Sequence, residues 1–239
     1  MEIVSYRKVN MNDLGVNTDC EVFVAHIKVD DVDKRAEEMI KTISDTSWIN
    51  QLNAVAQAAF EATSADTILK LVRNIHERIS GDAITEEFGE YLVSDTAQSV
   101  LVDQFKHKKI PLAELLKPRI SGNEGFDFHS ECIDSLLTFG EAKYSGSSNP
   151  YVKALSQIVG FIEKKKDVAE LVVLMHHVSK EAVDKCVQGI KSYAAAFSIN
   201  AVKPNLIIRN ALLSEETRDL LKHKKLYIIG VEINDPKLD

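Results

Sequence analysis

Cysteine, tryptophan and proline are scarce in this sequence: three Cys, one Trp and five Pro in 239 residues. Cys20, Cys132 and Cys186 are odd in number, far apart and without a C-x-x-C pair, which argues against a disulfide scaffold and against a structural zinc site. Ten Gly and five Pro place the chain outside the collagenous and low-complexity classes. Long apolar runs are missing too: a run such as residues 171–175 is about a quarter of what a membrane-crossing helix needs. The first five residues, Met-Glu-Ile-Val-Ser, have no basic segment leading into an apolar stretch, so no signal peptide is expected. These absences predict a soluble protein of a reducing cytoplasm.

Positive charge is in short supply overall. There are 29 basic against 36 acidic residues, a formal charge of −7, which argues against a protein that coats nucleic acid through bulk charge. The deficit is uneven. Residues 1–100 hold 18 acids and 9 bases, a balance of −9, whereas residues 101–239 hold 18 acids and 20 bases, a balance of +2. The second part carries three basic clusters: Lys106, Lys108, Lys109, Lys117 and Arg119; Lys164, Lys165 and Lys166; Lys222, Lys224 and Lys225. Any one of them alone reads first as a solvated helix end or loop.

At 45% hydrophobic and 27% charged, the chain can bury a full core. Alternating or β-branched patterns predict strands over 2–9 and 21–29. Helical spacing predicts helices over 32–43, 48–62, 66–79 and about 83–105, the third opened by Asp66 and stopped by Gly81. Beyond Pro118, a loop inside the fold reaches Gly125. Residues 125–129 and 133–143 then read as a β-hairpin, and residues 145–150 as a turn-rich loop. A helix over 151–166 follows, then a buried strand over 168–175, a helix over 179–197, a strand over 202–209, a helix over 214–223 and a strand over 225–233. The pattern is that of an α/β protein: a mixed β-sheet core flanked by helices. Residues 1–82 form a strand-then-helix elaboration whose acidity suits a partner surface, and residues 83–239 form the core.

Asp127, Glu141 and Lys143 carry the chemistry. Asp127 lies on the first strand of the hairpin. Glu141 and Lys143 end the second, where alternation points both to one side. Two carboxylates converging with a lysine make an oxygen-rich site suited to Mg²⁺ or Mn²⁺. Such a site can polarise a phosphodiester and activate water, while the lysine holds that water or neutralises developing charge.

Asp127, thirteen intervening residues and Glu141-x-Lys143 on a hairpin that leads into a helix resemble the PD-(D/E)xK nuclease superfamily. The resemblance implies a restriction-endonuclease-like core and two further assignments. An acid on the preceding helix joins the metal site, here Glu90, with Glu86 and Glu87 as competitors. A Gln on the following helix orients the site, here Gln157. The implied metal ligands are Asp127, Glu141, Glu90 and Ala142, the last able to act only through its main chain. Phe126 stands where the superfamily's name places Pro.

More narrowly, Gly125-Phe126-Asp127 leading to Phe139-Gly140-Glu141-Ala142-Lys143-Tyr144 resembles the HamA family, nuclease subunits of the Hachiman anti-phage systems. The similarity spans about Glu86 to Lys166 and implies a nuclease acting on DNA, restrained by a helicase partner.

Other readings compete. Glu-x-Lys on a strand also arises as solvent-facing decoration, and Gln157 as an ordinary surface residue. His129 could line the site or serve a cross-strand role. His176 and His177 read as the end of a buried strand with one ring packed. Three functions are therefore carried forward: an anti-phage DNA endonuclease, a sequence-specific restriction endonuclease on the same fold, and a catalytically silent interaction module of a defence complex.

Overall fold

The computed structural model describes residues 1–81, 84–116 and 125–234. The expected 82/83 boundary, the start of the helix expected from 83, Lys117, Arg119 and nearly all of the 118–125 loop lie outside these residues. The chain runs β1 (Glu2–Val9), β2 (Glu21–Val29), α1 (Val32–Ser44), α2 (Ala54–Ser80), α3 (Glu86–Phe105), β3 (Lys108–Lys109), α4 (Ala113–Leu116), β4 (Phe128–Glu131) and β5 (Leu137–Lys143). It continues through α5 (Tyr151–Glu163), α6 (Lys166–Ala169), α7 (Leu171–Leu174), α8 (Lys180–Val187), β6 (Ser192–Ile199), α9 (Pro204–Leu213), α10 (Glu215–Leu220) and β7 (Lys225–Ile233).

Among the described residues, seven strands form one mixed sheet in the order β1-β2-β7-β6-β5-β4-β3. Its four central strands are parallel, with β1 antiparallel on one edge and β4 and β3 antiparallel on the other. The strands near the N-terminus therefore share a sheet with the rest: β2 pairs with β7 over nine residues, from Glu21 opposite Lys225 to Val29 opposite Ile233.

Helices cover both faces, as a largely parallel sheet requires. On one face Leu137, Phe139, Tyr193, Ala195, Phe197 and Ile228 pack with Leu155 and Ile158 of α5, Ala182 of α8 and Ile208 of α9. On the other, Ala25, Ile27, Ala194, Ala196 and Ile229 pack with Ala36 and Met39 of α1, Leu71 and Ile75 of α2, and Leu92, Val93 and Ala97 of α3. Among the described residues, no helix is long and apolar enough to cross a membrane.

Several segments differ from the sequence expectation. Residues 168–175 are not a buried strand but parts of two short helices, α6 and α7. A short apolar run does not reveal its own period. Here Leu171 and Leu174, one turn apart, are buried while Val172 is 72% exposed. The helix expected over 179–197 ends at Val187, before Gly189 at φ +82°. Residues 192–199 instead form β6, buried along its whole length. The Ala-Ala-Ala run favours helix intrinsically, but a central strand covered on both faces overrides that weak preference. Residues 204–213 form α9 rather than a strand, with Pro204 at the first turn, where its missing N–H costs nothing. Asp66 lies inside α2; the cap is Asn53, whose side chain accepts from the amides of Val55 and Ala56. The hairpin's second strand starts at Leu137, after a turn in which Ser135 takes φ +52° and Ile133 faces solvent.

Candidate active site

Asp127 sits just before β4, where its own amide donates to the carbonyl of Gly140 at 2.9 Å. Its carboxylate turns onto the neighbouring strand: Oδ2 accepts from the amide of Ala142 at 2.8 Å. Asp127 is thereby held between Glu141 and Lys143, the two side chains that flank Ala142. The main chain of Ala142, expected as a metal ligand, serves in this arrangement as a donor to Asp127.

Glu141 is fully buried in β5. Its Oε1 lies 2.9 Å from Lys143 Nζ, an ion pair between two enclosed groups. Among the described residues its other oxygen, Oε2, has no hydrogen-bond partner. Burial, and then the charge of Asp127, push its pKa well above the ordinary carboxylate value; Lys143 offsets only part of this. In the protonated state Glu141 can instead share its proton with Asp127.

Lys143 ends β5 and is mostly enclosed. Its Nζ lies 3.1 Å from Glu90 Oε1 as well as beside Glu141. Burial pulls its pKa down, but the charges of Glu141, Asp127 and Glu90 outweigh burial and raise it, so the ammonium persists at neutral pH. Burial also raises the Glu90 pKa, against the opposing pull of Lys143.

The helix acid that meets Lys143 is Glu90. Glu87 is engaged elsewhere, accepting from Tyr91 Oη at 3.2 Å and Asn74 Nδ2 at 3.3 Å, and Glu86 is exposed in the first turn of α3. Gln157 lies on α5, partly exposed, with no hydrogen bond to Asp127, Glu141 or Lys143.

One supporting residue is absent from the sequence reading. Glu170, between α6 and α7, accepts from the amide of Phe126 at 3.0 Å through Oε1 and meets His129 Nε2 at 2.7 Å through Oε2. It thus grips the chain on both sides of Asp127. The signal available was a single acid inside the apolar run of residues 168–175. His129 is buried against Phe126 and Phe139, with ring centroids 6.4 and 5.6 Å away. His177 follows helix α7 rather than a strand and packs against Trp48 and Phe60; burial lowers its pKa to about 4.

The basic clusters divide. Lys225 is mostly buried and ion-paired with Asp134 and Glu21. Lys108 donates to the carbonyl of His177 at 2.8 Å. Lys106, Lys109, Lys164, Lys165, Lys222 and Lys224 face solvent.

Three carboxylates and one ammonium leave the cluster at −2 when all are ionised. This charge, the oxygen donors and the desolvated Glu141 carboxylate suit a hard divalent cation. Among the described residues, however, no three His, Cys, Asp or Glu side chains are gathered closely enough to hold a metal ion; Glu141 and Glu90 meet the Lys143 ammonium instead. The donor chemistry fits Mg²⁺ or Mn²⁺, and direct ligation requires Lys143 to release Glu141 or Glu90.

The chain matches no protein-family model and no curated protein.

Proposed function

We propose that this chain is a metal-dependent DNA endonuclease of the PD-(D/E)xK type, acting as the effector of an anti-phage defence system of the Hachiman kind beside a helicase partner. The observation that carries the reading is the meeting of Asp127, Glu141, Lys143 and Glu90 at the end of one strand.

Asp127 and Glu141, with Glu90 and the main chain of Ala142, are the groups that would hold Mg²⁺ or Mn²⁺. Bound there, the ion supplies Lewis acidity toward the phosphodiester and a water of lowered pKa. Lys143 keeps its proton at neutral pH, so its role is to steady the attacking water and the negative charge developing on the phosphate rather than to act as a general base. Glu141 must lose its proton before it can serve as a ligand, so activity rises with pH across its raised pKa. Asp127, held by the Ala142 amide, keeps the two strands in register around the reacting centre.

The test is plasmid cleavage by the chain alone and, where a helicase is encoded beside it, mixed with that helicase, with Mg²⁺ and with chelator. Mg²⁺-dependent cutting that disappears in Glu141→Ala and Lys143→Ala, with circular dichroism unchanged, is the expected result. Cutting by both variants overturns the assignment. Discrete bands instead of a smear favour the restriction-endonuclease alternative.

A second reading, a catalytically silent interaction module, is favoured by one observation: Glu141 and Glu90 are closed onto Lys143, and among the described residues no three-acid metal set is formed. Absence of cleavage under every condition, with the helicase complex intact, selects it.

A further inference from the structure

The face of the sheet that carries α9 is left open near the edge formed by β1. There a cleft of about 500 Å³ lies between the β1–β2 pair and α9. The antiparallel register explains its sheet wall: Ser5 lies opposite His26, Arg7 opposite Val24 and Val9 opposite Val22, so these side chains share one face. Asn205, Ile208, Arg209 and Leu212 follow helical spacing and form the facing wall. With the sheet order given above, three strand spacings, about 14 Å, separate β2 from β5. This cleft is distinct from the Asp127–Lys143 cluster.

Its chemistry is specific. Arg7 and Arg209 both line it, and among the described residues neither guanidinium has a hydrogen-bond or ion-pair partner. Arg35, by contrast, is buried against Asp95 and Glu38. His26, buried and opposite Ser5 on the neighbouring strand, is held by Glu232. Asn10, Asn205 and Ser5 add neutral polar groups, and Val24, Leu14, Ile208 and Leu212 provide apolar surface. Asp13, hydrogen-bonded by Asn10 at 2.9 Å, places an acceptor in the lining.

We propose that this cleft binds a nucleoside phosphate, its phosphate taken by Arg7 and Arg209 and its body lying on the apolar wall. Two unpaired guanidiniums select a phosphate through bidentate hydrogen bonds. The volume lies within the range of small-molecule sites and exceeds what inorganic phosphate fills. The Asp13 carboxylate supplies an acceptor for a sugar hydroxyl. The same chemistry occurs in a free mononucleotide and at the phosphorylated end of a nucleic acid strand.

The experiment is calorimetric titration of the full chain with AMP, GMP, CMP and UMP, with adenosine, with inorganic phosphate, and with a 5′-phosphorylated 12-nucleotide DNA strand beside its unphosphorylated twin. Expected are binding of at least one mononucleotide, no binding of adenosine, and at least tenfold weakening in Arg7→Glu and in Arg209→Glu. Arg73→Glu, an exposed arginine on α2, serves as the control and leaves affinity unchanged. Binding of the phosphorylated strand but of no mononucleotide supports the site and assigns it to strand ends. Absence of binding by any phosphorylated probe overturns the proposal, as does binding that survives both charge reversals. Arg7 and Arg209 are exposed, so a changed melting temperature is not expected to confound either variant. Cleavage through Glu141 and Lys143 is a separate readout, and loss or survival of one proposal leaves the other standing.

Discussion

Gly89 of α3 is seated directly on the ring of Tyr144: a Cβ at that position would lie 2.2 Å from the ring carbon Cγ. The next residue of the helix is Glu90, and the residue before Tyr144 is Lys143. The close approach of helix to strand end therefore sets the 3.1 Å separation of Glu90 Oε1 and Lys143 Nζ. Gly89→Ala should push α3 away, costing about 1–3 kcal/mol through overpacking. For a chain of this size that is roughly 2–4 °C of melting temperature per kcal/mol. Scanning calorimetry checks it, with Tyr144→Leu added in the same chain expected to restore part of the loss. An unchanged melting temperature in Gly89→Ala contradicts the packing argument.

The raised pKa of Glu141 makes stability depend on pH. A carboxyl whose folded-state pKa exceeds its ordinary value of 4.5 favours the fold below that value, and this contribution is lost as pH rises through the folded-state pKa. In chelator, the protein should therefore lose stability between mildly acidic and alkaline pH. Glu141→Gln, which mimics the protonated form, should flatten that slope. Urea unfolding at pH 5 and pH 8 measures it, and equal slopes in the two proteins count against a desolvated Glu141.

Lys143 is the only cation contacting Glu141 and Glu90 among the described residues. Lys143→Met should cost on the order of 3 kcal/mol at neutral pH, because it leaves carboxylates facing each other in a largely enclosed site. The loss should shrink at pH 5, where Glu90 and Glu141, both with raised pKa values, take up protons. Combining Lys143→Met with Glu141→Gln should recover part of it. A penalty independent of pH would mean that the lysine acts through packing alone.

Glu170 should matter through Asp127. Glu170→Ala removes the acceptor for the Phe126 amide and the partner of the His129 ring, and is expected to cost about 1–3 kcal/mol. In the cleavage assay it should raise the Mg²⁺ concentration needed for half-maximal rate more than it lowers the rate at saturation. A uniform fall in rate at every Mg²⁺ concentration would reduce Glu170 to a structural support.

Binding of DNA by the isolated chain should be weak and steeply salt-dependent, since among the described residues the solvent-facing cations lie in local clusters such as Lys109 and Lys164–Lys165. Fluorescence anisotropy from 50 to 200 mM salt tests this; tight binding that ignores salt contradicts it.

Much of the fold was legible along the chain. The strand expected over 225–233 coincides with β7, those over 2–9 and 21–29 with β1 and β2, and α1 starts at the expected residue. These segments have unambiguous periods and clear ends. Between residues 168 and 209 only the start of the helix expected from 179 matches, as α8. There an apolar run could take either period, and an alanine-rich stretch was drawn into the middle of a sheet by burial on both faces.

The sequence alone determined that a carboxylate, a second carboxylate and a lysine stand at hairpin spacing, because side-chain alternation is a local property of a strand. It equally determined where the acidity lies, and the spacing of its three cysteines argued against a disulfide or zinc framework. Only the tertiary structure decided that Glu90, not Glu86 or Glu87, meets Lys143, that Glu170 grips both sides of Asp127, and that Arg7 and Arg209 line one cleft. Each of these depends on which surfaces approach closely, as Gly89 does on Tyr144, and that is set by packing between elements distant in sequence rather than by the pattern within any one of them.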